Sequence, residues 1–212
     1  MGKIKLFLKA ILTSLISLAL IILANTDSLA VHAQSITQDK GKMIALTFDD
    51  GPHKKYTEEI LDILDEYSIK ATFFVVGVCA EKYPEIIARE IASGHEIGNH
   101  TYSHLHLKNA NISEIAGEID KTEQLLIQNN GYSTTLFRPP EGACSEAVLA
   151  AARNAEYPII LWTIDTRDWD LASTDKIVST VESKVRGGSI VLFHDYTART
   201  AHTLDALKIL IP

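Results

Sequence analysis

Two neighbouring carboxylates, Asp49 and Asp50, stand in the run Thr-Phe-Asp-Asp-Gly-Pro beginning at Thr47, directly after a short apolar stretch. Side chains at adjacent positions of an extended chain point in different directions, so one acid can bind a cation while the other handles protons. His100 and His104 are separated by four residues. On a helical turn that spacing puts both imidazoles on one face, within reach of one ion. Two imidazoles and a carboxylate form a metal set that leaves positions open for water and substrate. Asp-Asp-Gly-Pro alone also suits a polar turn or helix cap, and two histidines alone suit an exposed surface. The combination is what points to a metal.

Three further polar groups fall in the same kind of place: Arg138, the stretch Asp165 to Trp169, and His194 with Asp195. Each follows an apolar run of strand length, and the ends of such strands are where parallel-sheet enzymes place their chemistry. The elements that must hold these residues alternate in character. Strands are expected at Met43 to Phe48, Ala71 to Val76, Glu96 to Gly98, Leu136 to Arg138, Ile159 to Ile164 and Ser189 to Phe193, with apolarity suited to burial on both faces. Helices are expected at Thr57 to Tyr67, Pro84 to Ser93, Ser145 to Asn154, Thr174 to Arg186 and Thr203 to Leu210. Another carries Ile112, Ile115, Ile119 and Leu126 on one face, opened by Asn111 and Glu114 as a capping box. The fold class is therefore α/β, with successive β-α units around a parallel sheet or barrel.

With 212 residues and 46% hydrophobic composition the chain can bury one substantial core. A formal charge of -7 gives no basic footprint and argues against nucleic acid as a partner. Lys3, Lys5 and Lys9 precede an apolar run from Ala10 to Ala24, and Val31-His32-Ala33 offers a small-residue cleavage pattern. Residues 1-33 thus read as a signal peptide or uncleaved N-terminal anchor, 34-41 as a short linker and 42-212 as the catalytic domain. Either form of the leader places the domain outside the cytoplasm, with membrane attachment only through an uncleaved segment. Cys79 and Cys144 can form one disulfide or remain two inert thiols.

Taken in order, Thr-Phe-Asp-Asp-Gly-Pro, His-Thr-Tyr-Ser-His, Arg-Pro-Pro-Glu-Gly, Asp-Thr-Arg-Asp-Trp and Leu-Phe-His resemble the five motifs of the polysaccharide deacetylases, the NodB-like carbohydrate esterases of family 4. The resemblance runs from about Lys42 to the C-terminus. It implies a distorted, incomplete (β/α) barrel and one divalent metal, usually Zn2+, with Co2+ or another ion as alternatives. It further implies Asp50, His100 and His104 as ligands, Asp49 as general base, Arg138 as its anchor, and His194 as general acid oriented by Asp168. Leu192 and Trp169 become the apolar pocket for the acetyl methyl, and the peptide N-H at Glu141 an oxyanion donor. The implied reaction removes N-acetyl groups from an extracellular glycan, peptidoglycan or a chitin-like oligomer. An acetylxylan-type O-acetyl esterase and a non-catalytic glycan-binding relative are the alternatives.

Two departures from the family pattern bear on these expectations. Position 141 is commonly tyrosine and is glutamate here, which changes what meets the sugar while keeping the backbone donor. The chain stops at Pro212, where the family usually continues into a last strand, so a C-terminally short domain is expected. His53 and His106 lie near the motifs and are secondary candidates for substrate contact.

Overall fold

The computed structural model describes residues 43-196 and 200-212; the expected signal and linker lie outside them. Its frame is a five-stranded, all-parallel sheet. In chain order the strands are β1 (Ala45–Asp49), β2 (Thr72–Val75), β3 (Glu96–Asn99), β4 (Ile164–Asp165) and β5 (Ile190–His194), arranged β3-β2-β1-β5-β4. Among the described residues seven α-helices accompany them: α1 (Tyr56–Glu66), α2 (Gly77–Lys82), α3 (Pro84–Ala92), α4 (Ile112–Asn130), α5 (Glu146–Asn154), α6 (Thr174–Lys184) and α7 (Thr200–Leu210). Among the described residues none is long and apolar enough to cross a membrane.

Alternation along the strands sorts side chains onto two faces. Phe48 and Phe193 are register partners on the helix-covered face, where Phe48 stacks on Phe193 at 5.6 Å and on Phe73 at 5.1 Å. That aromatic layer belongs to a core with Ile60, Leu64, Ile97 and Leu207, all buried. Thr47, Asp49, Leu192 and His194 occupy the opposite face, in the pairs Thr47 with Leu192 and Asp49 with His194. Sheet register alone therefore makes the acid of β1 and the imidazole of β5 neighbours. A second buried cluster around Phe137, Ile119 and Val148 fastens α4 and α5 beside the sheet.

Past β3 the sheet curls through single bridges, Asn99 to Phe137 and Phe137 to Ile159, toward the far edge strand β4. The expected strands at Leu136 to Arg138 and Ile159 to Ile164 shrink to these bridges and the two residues of β4. The first run keeps backbone bonds to Asn99 on one side and to Pro158 and Ile160 on the other, while the Arg138 side chain occupies the carbonyls of Ile160 and Leu161 in the second. The result is an incomplete barrel with an arginine across its seam. Helix α4 begins as expected, with the Asn111 side chain accepting from the Glu114 amide and Glu114 returning the bond, and ends at the left-handed Gly131. Helix α2 has no counterpart in the sequence reading, because its six residues are too few to show a helical period. Cys79 and Cys144 are both free, the first buried and the second exposed.

Candidate active site

A cavity of about 520 Å3 opens at the C-terminal ends of the strands, lined by both members of the Asp49-Asp50 pair, both histidines of the second motif, and His194. Three ligand-type atoms, one each from Asp50, His100 and His104, lie within 4.8 Å of one another. Asp50 Oδ1 is 3.4 Å from His100 Nε2 and 3.2 Å from His104 Nε2. It is buried yet accepts no hydrogen bond, because neither ring N-H geometry is met. His100 Nδ1 donates to the Arg138 carbonyl at 2.7 Å, so its other nitrogen faces Asp50 as an acceptor. A buried carboxylate oxygen without a donor, facing a His100 nitrogen that presents its lone pair when that ring is neutral, suits a cation in the middle. Burial opposes ionisation of Asp50, but the two imidazoles outweigh it and hold the carboxyl well below the usual range.

The histidine pair does not converge by the expected route. Residues 100-106 form a loop, with Thr101 and His104 in the left-handed region at φ 67° and 54°. Asp50, at φ 77°, is left-handed too. Such backbone costs about 1 kcal/mol or more per residue and persists only where neighbours fix it. Here the carbonyls of Thr101 and Tyr102 accept from the amides of Gly77 and Val78 at the start of α2. Glu118 of α4 accepts from the amide and hydroxyl of Ser103, and Asn99 accepts from the Thr101 amide. Helix α2, invisible in the sequence, is thus one of the two elements that shape the loop.

Arg138 connects His100 to Asp49. Its guanidinium is fully buried and donates to Asp49 Oδ1 at 2.7 Å, to Thr47 Oγ1 at 2.9 Å and to the Ile160 carbonyl at 3.0 Å, with the Phe74 ring stacked 4.0 Å away. Asp49, itself buried, keeps its second oxygen 3.8 Å from His100 Nε2. On the opposite wall Asp168 accepts four bonds: from His194 Nδ1 at 2.8 Å, the His194 amide at 2.8 Å, the Trp169 amide at 2.9 Å and the Thr203 hydroxyl at 2.8 Å. Burial alone lowers the His194 pKa, but Asp168, aided by Asp49 and Asp50, raises it to about 9.

Leu192, Trp169 and Glu141 all line the cavity as expected. Glu141 is left-handed at φ 58°, and its carboxylate pairs with His106 Nδ1 at 2.8 Å on the exposed rim. His53 instead serves α1, its ring nitrogen accepting from the Lys55 and Tyr56 amides. One lining residue escapes sequence reasoning, and a second is named in it without a role of its own. Trp162 was absorbed into an expected buried strand; a tryptophan amid aliphatic residues was the available signal. It lies over Gly142, where a Cβ would come within 2.9 Å of the ring. Asp165 was noticed only as part of its cluster, and it accepts the Trp169 indole N-H at 3.3 Å. Asp195 turns to the other side of the sheet, where it accepts from Thr57 and presses on Gly51 so closely that a Cβ there would sit 2.2 Å from its oxygen. Burial pushes this carboxyl up to about 7, the Thr57 hydroxyl opposing and Asp50 adding to the shift.

Residues 37–160 match the family model described as polysaccharide deacetylase. The chain belongs to that family. It is 42% identical over 170 residues to a peptidoglycan-N-acetylglucosamine deacetylase of Bacillus cereus, an alignment covering 80% of this chain and 62% of that protein. It is 40% identical over 159 residues to a chitooligosaccharide deacetylase of Sinorhizobium fredii, covering 72% and 71%. The solved Bc1960 peptidoglycan N-acetylglucosamine deacetylase, in complex with an N-oxidanyl-benzamide, superposes with a TM-score of 0.77 at 42% identity, covering 80% of this chain and 79% of that one. The family's members are (β/α) barrels, in accord with the fold class read from the sequence.

Proposed function

We propose that this protein removes N-acetyl groups from amino sugars of an extracellular glycan, with peptidoglycan as the leading substrate and a chitin-like oligomer as the other. The observation that carries this reading is the placement of two proton-handling pairs, Asp49 with Arg138 and His194 with Asp168, in the cavity that holds the Asp50, His100 and His104 cluster. The peptidoglycan and chitooligosaccharide activities named for the relatives support the substrate class. The charged, apolar and small-residue pattern of residues 1-33 supports an extracytoplasmic setting.

Two imidazoles and one carboxylate suit Zn2+, with Co2+ able to replace it. When bound, such an ion polarises the acetyl carbonyl and makes water a competent nucleophile near neutral pH. Asp49 accepts the proton of the attacking water, its carboxylate held in place by Arg138. Asp168 holds His194 at Nδ1, leaving Nε2 to deliver a proton to the departing nitrogen. Leu192, Trp162 and Trp169 give the acetyl methyl an apolar wall and displace water from it.

Acetate release from chitooligosaccharides and peptidoglycan fragments tests the reading. Chelation should abolish it, Zn2+ or Co2+ should restore it, and Asp50→Ala should remain inactive at any metal loading. Metal-restored turnover only on acetylated xylan, or glycan binding without turnover, would overturn it.

A further inference from the structure

Beside the catalytic cavity runs a groove of about 310 Å3 lined by Arg167, Lys176 and Lys184, with Thr180 between the lysines. The two spaces share Asp165 as a common wall. Lys176, Thr180 and Lys184 follow one another at four-residue intervals along α6, so they form one stripe of the helix facing the groove. Both lysines are exposed, and among the described residues neither has an ion-pair partner. Arg167 sits at the junction. Its left-handed backbone, φ 58°, is fixed by its amide donating to Asp165 Oδ1 at 2.8 Å, and its guanidinium lies 5.1 Å from the Trp169 ring. Asp170 neutralises it only partly, from an exposed position at 2.7 Å. A chain with a formal charge of -7 thus gathers three cations and two carboxylates, Asp165 and Asp170, into one depression that shares a wall with its catalytic cavity, and with Arg167 paired to Asp170 the two lysines are the charges left to meet an anion.

We propose that this groove binds a carboxylate carried by the sugar next to the one being deacetylated. The inference rests on the deacetylase reading and sharpens it. The shared Asp165 wall gives the neighbour of a sugar whose acetamide lies against Asp49 and His194 a route past Trp169 to the stripe. A lactyl ether or the first carboxylates of a stem peptide, as in peptidoglycan, supply the anion, whereas an unsubstituted chitin-like chain leaves the groove without one. The two ammonium groups then select between glycans whose reacting sugars are identical.

The test compares three acetylated tetrasaccharides of equal length: a chitin-type chain, a chain alternating with lactyl-substituted sugars, and the latter bearing stem peptides. The readout is the ratio of kcat/KM for each anionic glycan to that for the neutral one, in the native protein, in Lys176→Gln/Lys184→Gln and in Lys176→Arg/Lys184→Arg. Loss of two rim charges should lower the ratio by about three- to tenfold, mostly through KM, and the arginine pair should restore it. Raising salt should lower the native ratio and leave that of the glutamine variant nearly flat. A drop confined to the peptide-bearing chain assigns the carboxylate to the stem; a drop confined to the peptide-free chain, whose lactyl carboxyl is not consumed in an amide, assigns it to the lactyl group; and a drop on both shows that either carboxylate fills the groove. An unchanged ratio, or failure of the arginine pair to rescue, overturns the proposal. Should the native protein release no acetate from any chain, the deacetylase reading falls, and equilibrium binding of the same glycans decides the groove by the same ratio.

Discussion

The His194 and Asp168 pair makes a demanding test, because geometry and titration bear on it together. In Asp168→Asn the side chain keeps its size but not its symmetry. One end still accepts from two of the four donors, while the new NH2 faces the other two, for instance the Thr203 hydroxyl and the His194 amide. Each buried donor left without an acceptor costs about 1–3 kcal/mol, so the variant should unfold more easily while still folding. The larger effect is on the imidazole. His194 is raised from 6.5 to about 9 despite burial, and Asp168 is the leading cause opposing that burial. A shift of that size corresponds to about 3 kcal/mol favouring the protonated ring, at 1.36 kcal/mol per pH unit. Without the carboxylate, burial dominates and the pKa should fall below 6.5. Ring-proton NMR titration of chelated protein should therefore show His194 titrating near 9 in the native chain and at least two units lower in the variant. Because its folded value is raised, His194 contributes stability fully below pH 6.5 and loses it as pH rises through 9. Thermal midpoints of the chelated native protein should decline across that window, and those of the variant should not. A native His194 titrating near 6.5, or one unmoved by Asp168→Asn, would refute the assignment.

Other substitutions probe the rest of the site. Asp49→Ala leaves the buried Arg138 guanidinium unpaired and should destabilise by about 3–5 kcal/mol in denaturant unfolding, whereas Asp49→Asn should stay folded yet release no acetate. Gly51→Ala drives a methyl into Asp195; the overpacking should cost about 1–3 kcal/mol and weaken Zn2+ binding measured by competition with a chelating dye, since Asp50 adjoins the displaced turn. Asp195 has a folded pKa raised to about 7, so its ionisation opposes folding progressively from pH 3.8 to 7 and fully above. Asp195→Asn should consequently raise the melting temperature of the chelated protein at pH 8 and leave it nearly unchanged at pH 4; an equal effect at both would exclude the buried charge as the cause.

The strand-end placement of Asp49, Asp50, Arg138 and His194 was legible because an apolar run followed by a polar group is a local signal. The neighbourly relation of Asp49 and His194 was not, since it depends on the register of β1 against β5, 145 positions apart in the chain. The i, i+4 histidine spacing pointed to two rings that do meet beside Asp50, though not on a helical turn. The loop that joins them is shaped by amides of Gly77 and Val78 and by Glu118, contacts with no sequence periodicity. Residues 159-163 read as a strand because their apolarity is real, but Arg138 takes the carbonyls of Ile160 and Leu161. Trp162, in the same run, lines the cavity, which an unbroken apolar pattern does not reveal.

The seam-spanning arginine has a consequence for how this chain can change over generations. Its guanidinium is fully buried and bonds the side chain at position 49 together with the Ile160 carbonyl, so a change at 49 that removes the acceptor strands a charge, whatever it does to the chemistry proposed for Asp49. A descendant freed from that chemistry could not simply delete the side chain. It would have to keep an acceptor there, as asparagine does, or trade both positions, and either change would be the mark of a lineage that kept the shape and abandoned the chemistry.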